Sequence, residues 1–490
     1  MFASVTSVAL VGIDPEPVRV EVHIGGNKQS LVIVGLPDTA VREAKERVRS
    51  AVQSSGYPFP RRHVTVNLAP ADLPKAGSAY DLPIALGVLA AARLVPPAAA
   101  NVVALGELAL DGRVRNARGG LGAGVVAAES GLRCLVDERG ATEAVLAGGD
   151  VRAVGSLAQA VAVSLGEDEG LPITATPAAE SPGTDLGEVR GQAQGRRALE
   201  VAAAGGHHLL FEGPPGSGKT MLASSLPGIL PELTEAERLD VARAWAAAGR
   251  RHDGVTPPFR SPHHGATAAA LLGGGSGVPG PGEVTLAHRG VLFLDELGEF
   301  PPHLLDGLRQ PIEEGVVHVA RQVRTVAFPC RVQLVAATNP CPCGFYEDRL
   351  TQCSCTPAVV RRYGRRLSGP LVDRFDMRVQ TQRVRVADLM RSRSESSSAV
   401  RRRVVAARRR QEGRGVLNRD LDRAALDECP WDDAARDRLR EAIDRYALTA
   451  RGWDRVRRVA RTIADLDDSD VVAESHVAEA LDLRGRPREP

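Results

Sequence analysis

Gly213-Pro214-Pro215-Gly216-Ser217-Gly218-Lys219-Thr220, preceded by Leu209-Leu210-Phe211 and followed by a helical stretch from Met221, is the segment on which the fold turns. The apolar triplet reads as a buried strand. The glycines let backbone N–H groups turn inward around phosphates, and the helix that follows aims its N-terminus at the same place. In that setting Lys219 should reach the β- and γ-phosphates of a nucleotide, and the Thr220 hydroxyl should ligate Mg²⁺. ATP and Mg²⁺ are therefore the expected cofactors, with residues Gly213 to Thr220 as the binding loop. Only four lysines occur in the chain, Lys28, Lys45, Lys75 and Lys219, against a large excess of arginine. A lysine kept inside this one loop points to chemistry and not to composition.

Downstream, Val291 to Leu294 reads as a buried strand ending in Asp295-Glu296. Carboxylates at the carboxyl end of a parallel strand lie where such sheets bind ligands. Asp295 should hold Mg²⁺ and Glu296 should orient or deprotonate the attacking water, since phosphoryl transfer to water needs a positioned nucleophile. A further strand, Val332 to Ala336, leads to Thr338-Asn339-Pro340. Asn339 could hydrogen-bond the water or the γ-phosphate, or could simply form an Asn-Pro turn. Arg374, in Ser368-Gly369-Pro370-Leu371-Val372-Asp373-Arg374-Phe375-Asp376, reads either as an arginine finger toward a neighbouring subunit's γ-phosphate or as a surface ion pair.

A length of 490 residues exceeds a single core and predicts roughly three units. Val18 to Ile24 alternates with period two, Leu31 to Val34 is an apolar run, and Asp38 caps a helical pattern to about Val52: a strand, strand, helix opening. Strands are also expected at Val64 to Leu68 and Val102 to Leu105, and helices near Asp81 to Ala92 and Gly120 to Ser130. The predicted organisation is an α/β unit over 1–165, a linker over 166–187, a parallel-sheet core over 188–382 and an all-α lid over 383–490. Lid helices are expected at Ser397 to Gly413, Asp422 to Glu428, Asp432 to Leu448, Asp454 to Leu466 and Ser469 to Leu483.

Hydrophobic content of 43%, charged content of 25% and a net charge of +2 give no global pull toward nucleic acid or membrane, so any basic surface must be local. No leader pattern and no apolar run of spanning length is evident, which predicts a cytoplasmic protein with no membrane partner. Four of the seven cysteines crowd into Cys341, Cys343, Cys353 and Cys355, a ligand count that suits one tetrahedral Zn²⁺, though reduced thiols would also account for them. His263 and His264 open a glycine-rich stretch to Gly277, either a pore or DNA-contacting loop or a plain connection. Arg401, Arg402, Arg403, Arg408, Arg409 and Arg410 lie on one predicted helix, either a phosphate-contacting stripe or a solvated face.

The phosphate loop, Asp295-Glu296, Asn339 and Asp373-Arg374-Phe375-Asp376 together resemble the AAA+ branch containing magnesium-chelatase ATPase subunits and minichromosome-maintenance helicases. Arg190-Gly191-Gln192, Pro262-His263-His264, Pro281-Gly282-Glu283 and Ala460-Arg461-Thr462-Ile463-Ala464-Asp465-Leu466 narrow this to a resemblance to the YifB/ComM family over nearly the whole chain. The resemblance implies a homo-hexameric ring, with Arg374 as finger and Arg451, in Thr449-Ala450-Arg451-Gly452, as a sensor arginine on the lid. Arg455 is the fallback for that role. It also implies a motor remodelling branched or single-stranded DNA, in the manner of a branch-migration helicase. A protein-remodelling ATPase and a metal-insertion motor of the magnesium-chelatase type are the alternatives. The N-terminal unit resembles the Lon/S5-like fold, and Pro74-Lys75-Ala76-Gly77-Ser78-Ala79 puts alanine where a Lon-like nucleophile would fall. Gly124 stands near the position of the partner lysine. A Ser–Lys dyad needs that lysine, so no peptidase activity is expected.

Overall fold

The computed structural model describes the chain except residues 36–37, 74, 76, 175–182, 253, 276–278, 321–324, 349, 368–370, 385–387, 389–393, 447 and 486–490. Pro74 and Ala76 of the Lon-like segment, Gly277 and Ser368 to Pro370 thus lie outside the described residues. The rest forms two compact units: Met1–Ala179 with Glu235–Gly254, and Glu180–Thr234 with Val255–Pro490. The helix Glu235–Ala247, which in sequence sits inside the 188–382 block, clusters with the N-terminal unit.

The first unit is built on seven strands: β1 (Phe2–Val11), β2 (Asp14–Gly25), β3 (Ser30–Val34), β4 (His63–Ala69), β5 (Val102–Ala104), β6 (Arg133–Val136) and β7 (Val151–Ala153), ordered β3-β4-β2-β1-β5-β6-β7. Val18, Val20, Val22 and Ile24 of β2 face the core in strict alternation. β1 was not among the expected strands. It lies in mid-sheet, its small and hydroxylated residues are covered in an irregular pattern, and Ser7 is fully buried, so the period-two signal is lost. Asp38 caps the helix Thr39–Ser54 by accepting from the Val41 N–H at 2.8 Å. Helix Asp81–Ala91 is buried on every side; Gly87 is needed there because a Cβ would meet Val22 at 2.7 Å. Its Asp81 carboxylate is held by Arg47 at 2.6 and 3.0 Å.

In the second unit five parallel strands, β8 (Leu209–Glu212), β9 (Phe259–Arg260), β10 (Val291–Leu294), β11 (Gln333–Thr338) and β12 (Met377–Gln380), are ordered β9-β10-β11-β8-β12. β8, the earliest in sequence, is enclosed by the two latest. That reversal of strand order makes the carboxyl ends of β8 and β11 the natural ligand crevice. Of the C-terminal helices Ser397–Glu412, Arg423–Glu428, Asp433–Tyr446, Ala450–Leu466 and Glu474–Arg484, all but the second share one apolar cluster with this sheet, and the second packs against the fourth. Two begin elsewhere than expected: the fourth starts at Ala450, where Thr449 caps it, and the fifth at Glu474, because Val472 is tied to Pro430 and Trp431. Burying each Leu, Ile or Val on this seam stabilises the unit by about 1.5–3 kcal/mol. Among the described residues no helix is long and apolar enough to cross a membrane.

Candidate nucleotide site

The loop after β8 is fixed before any ligand is considered. The Gly213 N–H donates to the Thr338 carbonyl at 3.2 Å, joining the loop to the end of β11. A Cβ on Gly213 would collide with the backbone and hydroxyl of Thr381, so only glycine fits. Gly216 (φ +73°) and Gly218 (φ +83°) take left-handed conformations open to a Cβ-free approach, the shape of a phosphate cradle. Ser217 Oγ lies 2.8 Å from Thr381 Oγ1, and the Ser217 carbonyl accepts from Gln192 Nε2 at 2.7 Å. Gln192, noted in the sequence only as part of a family marker, is therefore a strut under the loop, held at φ +52°.

Lys219 opens the helix Lys219–Ile229 and is buried. Its ammonium donates to the Gly213 and Pro214 carbonyls at 2.7 and 2.9 Å and to Asn339 Oδ1 at 3.2 Å. Burial lowers the Lys219 pKa, and the carboxylates of Asp295, Glu212 and Glu296 oppose that. Thr220 Oγ1 donates to Asp295 Oδ2 at 2.8 Å, so the two expected Mg²⁺ ligands already converge. Lysine, threonine, aspartate and the glycine cradle form a donor set that fits MgATP; the bound ion would supply charge neutralisation at the phosphates. Asn339 joins this group through Lys219.

Glu296 follows Asp295 at φ +51°, a conformation unusual for a non-glycine residue and of the kind held at functional sites. Its carboxylate is half-exposed, and Oε2 lies 3.4 Å from His264 Nδ1. Sequence reading left His264 between a pore or DNA-contacting loop and a plain connection; in the fold it faces the Glu296 carboxylate. His263 lies beside it, ring centroids 4.0 Å apart and planes tilted by 34°, and its Nδ1 accepts from the Gly265 N–H at 3.0 Å. The signal was the Pro262-His263-His264 segment after β9, but nothing local to it names Glu296.

Arg374 is not near this group. β8 and β12 run parallel with Leu209 opposite Met377 and Glu212 opposite Gln380, so Arg374 enters at the amino end of the sheet while the phosphate loop leaves at the carboxyl end. Its guanidinium pairs with Glu313, and its Nε is buried with no hydrogen-bond partner. Arg455 lies at the same end, 3.7 Å from Asp376, and burial lowers its pKa. Arg484 joins them, pushed down to about 10 by burial and by Arg455 and Arg378. Arg451 is exposed on the first turn of its helix and is brought to none of the other site residues by any described contact.

The arginine helix is anchored in part by contacts within its own unit. Arg403 pairs with Glu200 and Glu395, Arg408 donates to the Ala203 carbonyl at 2.9 Å, and Arg410 pairs with Asp468 at 2.6 Å and with Asp470. Arg401 donates to the Gly228 carbonyl at 3.1 Å, so these four cations tie the helix to other segments of its own unit, while Arg402 and Arg409 are exposed. The Ala460 to Leu466 segment is likewise structural: the buried Asp465 accepts from Arg461 at 2.9 Å, from Asn418 at 2.7 Å and from Arg414. In the N-terminal unit Ser78 Oγ donates to Glu107, Lys75 Nζ donates to the Pro70 carbonyl, and a Cβ on Gly124 would strike the Ala144 backbone.

The family description "Magnesium chelatase, subunit ChlI" matches residues 185–389, "Subunit ChlI of Mg-chelatase" matches 20–138, and "Magnesium chelatase, subunit ChlI C-terminal" matches 394–484. The chain is 42% identical to YifB of Escherichia coli K12, over 98% of this chain and 96% of that one. It is 40% identical to the competence protein ComM of Haemophilus influenzae, over 99% and 98%. A stretch of 138 residues, 26% of this chain and 25% of the other, is 32% identical to Lon protease 2 of Bacillus subtilis.

Proposed function

We propose, because the chain belongs to the YifB/ComM family of magnesium-chelatase-like AAA+ ATPases, that it is a homo-hexameric motor which hydrolyses MgATP to remodel branched or single-stranded DNA. In this reading Lys219 and the Gly213 to Thr220 loop hold the phosphates, Thr220 and Asp295 hold Mg²⁺, and Glu296 activates water within reach of Asn339. Arg374 completes the site of the neighbouring subunit. The observation that carries the ring is the separation of Arg374 from its own phosphate loop by the full length of the sheet: an arginine so placed can meet a γ-phosphate only across an interface. Arg451 has no such support, and the amino-end arginine Arg455 takes the sensor role in its place.

For DNA the support is a relative named for competence and a local basic face: Arg361 and Arg362 are exposed on the helix Pro357–Leu367. The N-terminal unit acts as a binding module without peptidase chemistry, since Ser78 faces a carboxylate and not an amine. The four clustered thiols add a Zn²⁺ site. A gel-shift and strand-displacement assay with four-way and forked DNA, run across a salt series, tests the substrate: binding that weakens with salt and displacement that needs ATP are expected. If no shift occurs at low salt while a protein substrate stimulates hydrolysis, the protein-remodelling reading replaces this one.

A further inference from the structure

We propose that Cys341, Cys343, Cys353 and Cys355 hold one structural Zn²⁺, and that the resulting knot clamps the phosphate loop against the Asn339 strand end so that metal occupancy sets the hydrolysis rate. The second half rests on the MgATP reading of the site; the first does not. All four sulfurs lie within 4.8 Å of one another, with separations of 3.3 Å (Cys341–Cys343), 3.5 Å (Cys343–Cys353) and 3.7 Å (Cys341–Cys353). Thiolates about 2.3 Å from a tetrahedral Zn²⁺ stand roughly 3.8 Å apart, so the cage is nearly of zinc size. An iron–sulfur cluster would interpose inorganic sulfides and spread the thiolates wider. Burial does not account for the convergence, since three of the four thiols are partly exposed. The Cys355 N–H points at Cys353 Sγ, 3.4 Å away, which supplies a donor to a thiolate. Four protein ligands leave no place for water, the signature of a structural site.

The knot touches the nucleotide site along two routes. Cys341 is fully buried two residues after Asn339, and Gly344, at φ +86°, sits so close to the phosphate loop that a Cβ would come within 2.5 Å of Pro215. Asp348 pairs with Arg383 at 3.2 Å, Phe345 lies under the same guanidinium at 5.3 Å, and Thr351 Oγ1 accepts from it at 3.1 Å. The residue before Arg383, Gln382, offers its carbonyl to Gln192, the strut of Ser217. One ion thus sets the distance between the loop that binds phosphate and the strand end that presents Asn339.

The full-length protein, purified without a metal-binding tag, should contain about one zinc per chain by elemental analysis. Cobalt substitution should show thiolate-to-metal charge transfer with tetrahedral ligand-field bands. Cys355→Ser, or treatment with a zinc-selective chelator in excess Mg²⁺, should cut kcat by roughly 10- to 100-fold. The Kd for MgATP should stay within about threefold, a split that a general loss of fold would not produce. Cys355→His, which restores a fourth ligand, should recover both zinc and turnover. Absence of zinc, or iron in its place, would overturn the metal assignment. A zinc-free Cys355→Ser protein with undiminished kcat would overturn the clamp. A zinc-loaded wild-type protein with no affinity for MgATP would sink the motor reading and the clamp together while the metal assignment stands.

Discussion

The two ends of the five-stranded sheet make opposite arrangements from the same side-chain types. At the carboxyl end the site residues partner one another: Lys219 meets Asn339, Thr220 meets Asp295, and Glu296 meets His264. At the amino end arginines predominate. Arg374, Arg378, Arg455 and Arg484 crowd around Asp373 and Asp376, and burial lowers three of them. Burial disfavours the charged form of each, and the nearby carboxylates, Asp373 among them, offset it only in part. On the proposed reading, one end holds the phosphates of its own subunit and the other completes the site of a neighbouring copy.

The sharpest way to break this contrast is at the complete end. Lys219→Ala removes the ammonium that donates to the Gly213 and Pro214 carbonyls of the loop. With two charged hydrogen bonds at about 1.5–3 kcal/mol each, MgATP affinity should fall at least roughly 100-fold in a fluorescent-nucleotide titration. Glu296→Gln keeps the loop and loses the base, so binding should persist while turnover drops by about 10²- to 10⁴-fold. Near-normal turnover in Glu296→Gln would take the base role from it.

At the amino end Arg374→Ala should lower kcat by about 10³-fold with MgATP binding nearly intact. Mixing inactive Arg374→Ala and Lys219→Ala subunits should restore part of the activity, because an intact loop then faces an intact arginine at some interfaces. Two inactive variants that stay inactive when mixed, in an assembly shown to exchange subunits, would mean that the ends do not meet across an interface.

A smaller effect is expected at His264. If its imidazole restrains the Glu296 carboxylate, His264→Ala should raise DNA-free hydrolysis about two- to tenfold, the weight of one hydrogen bond. The ratio of DNA-stimulated to basal rate should shrink accordingly. Unchanged basal and stimulated rates would reduce the contact to proximity.

The carboxyl end was legible in the sequence because its signals are local: a strand, a glycine loop and a helix stand in one run, and Asp295-Glu296 closes another. What was not legible depends on segments meeting from afar. Gln192 under Ser217, His264 beside Glu296 and Gly344 against Pro215 leave no trace in any one window. The ion pairs of the arginine helix were hidden for the same reason, since composition cannot tell a solvated cation from one facing Glu200 or Asp468. β1 was hidden because its covering comes from elements read much later in the chain, so alternation never appears.

The last contrast is in pH. At the root of β8, His208 is enclosed, its ring Nδ1 accepting from the Leu334 N–H at 3.0 Å while its backbone N–H donates to Asp376 Oδ2 at 3.0 Å. Burial, with help from nearby Arg419, holds its pKa down at about 3. The unfolded imidazole titrates near 6.5. A pKa depressed in the folded state means that the stability is whole above the unfolded value and drains as pH falls toward the folded one, because only the unfolded chain takes the proton. The slope is about 1.4 kcal/mol per pH unit, so the loss from pH 6.5 to 5 is about 2 kcal/mol. Asp376 is itself held low, and its contribution is lost only below the ordinary carboxylate range, so it does not blur this window. Replacing Trp245 by Phe leaves Trp431 and Trp453 to report the second unit alone in urea titrations. In that background His208→Asn, whose amide oxygen can still accept from Leu334, should flatten the profile between pH 6.5 and 5. An unaltered slope would place the acid sensitivity elsewhere and leave the amino end no more titratable than the nucleotide end.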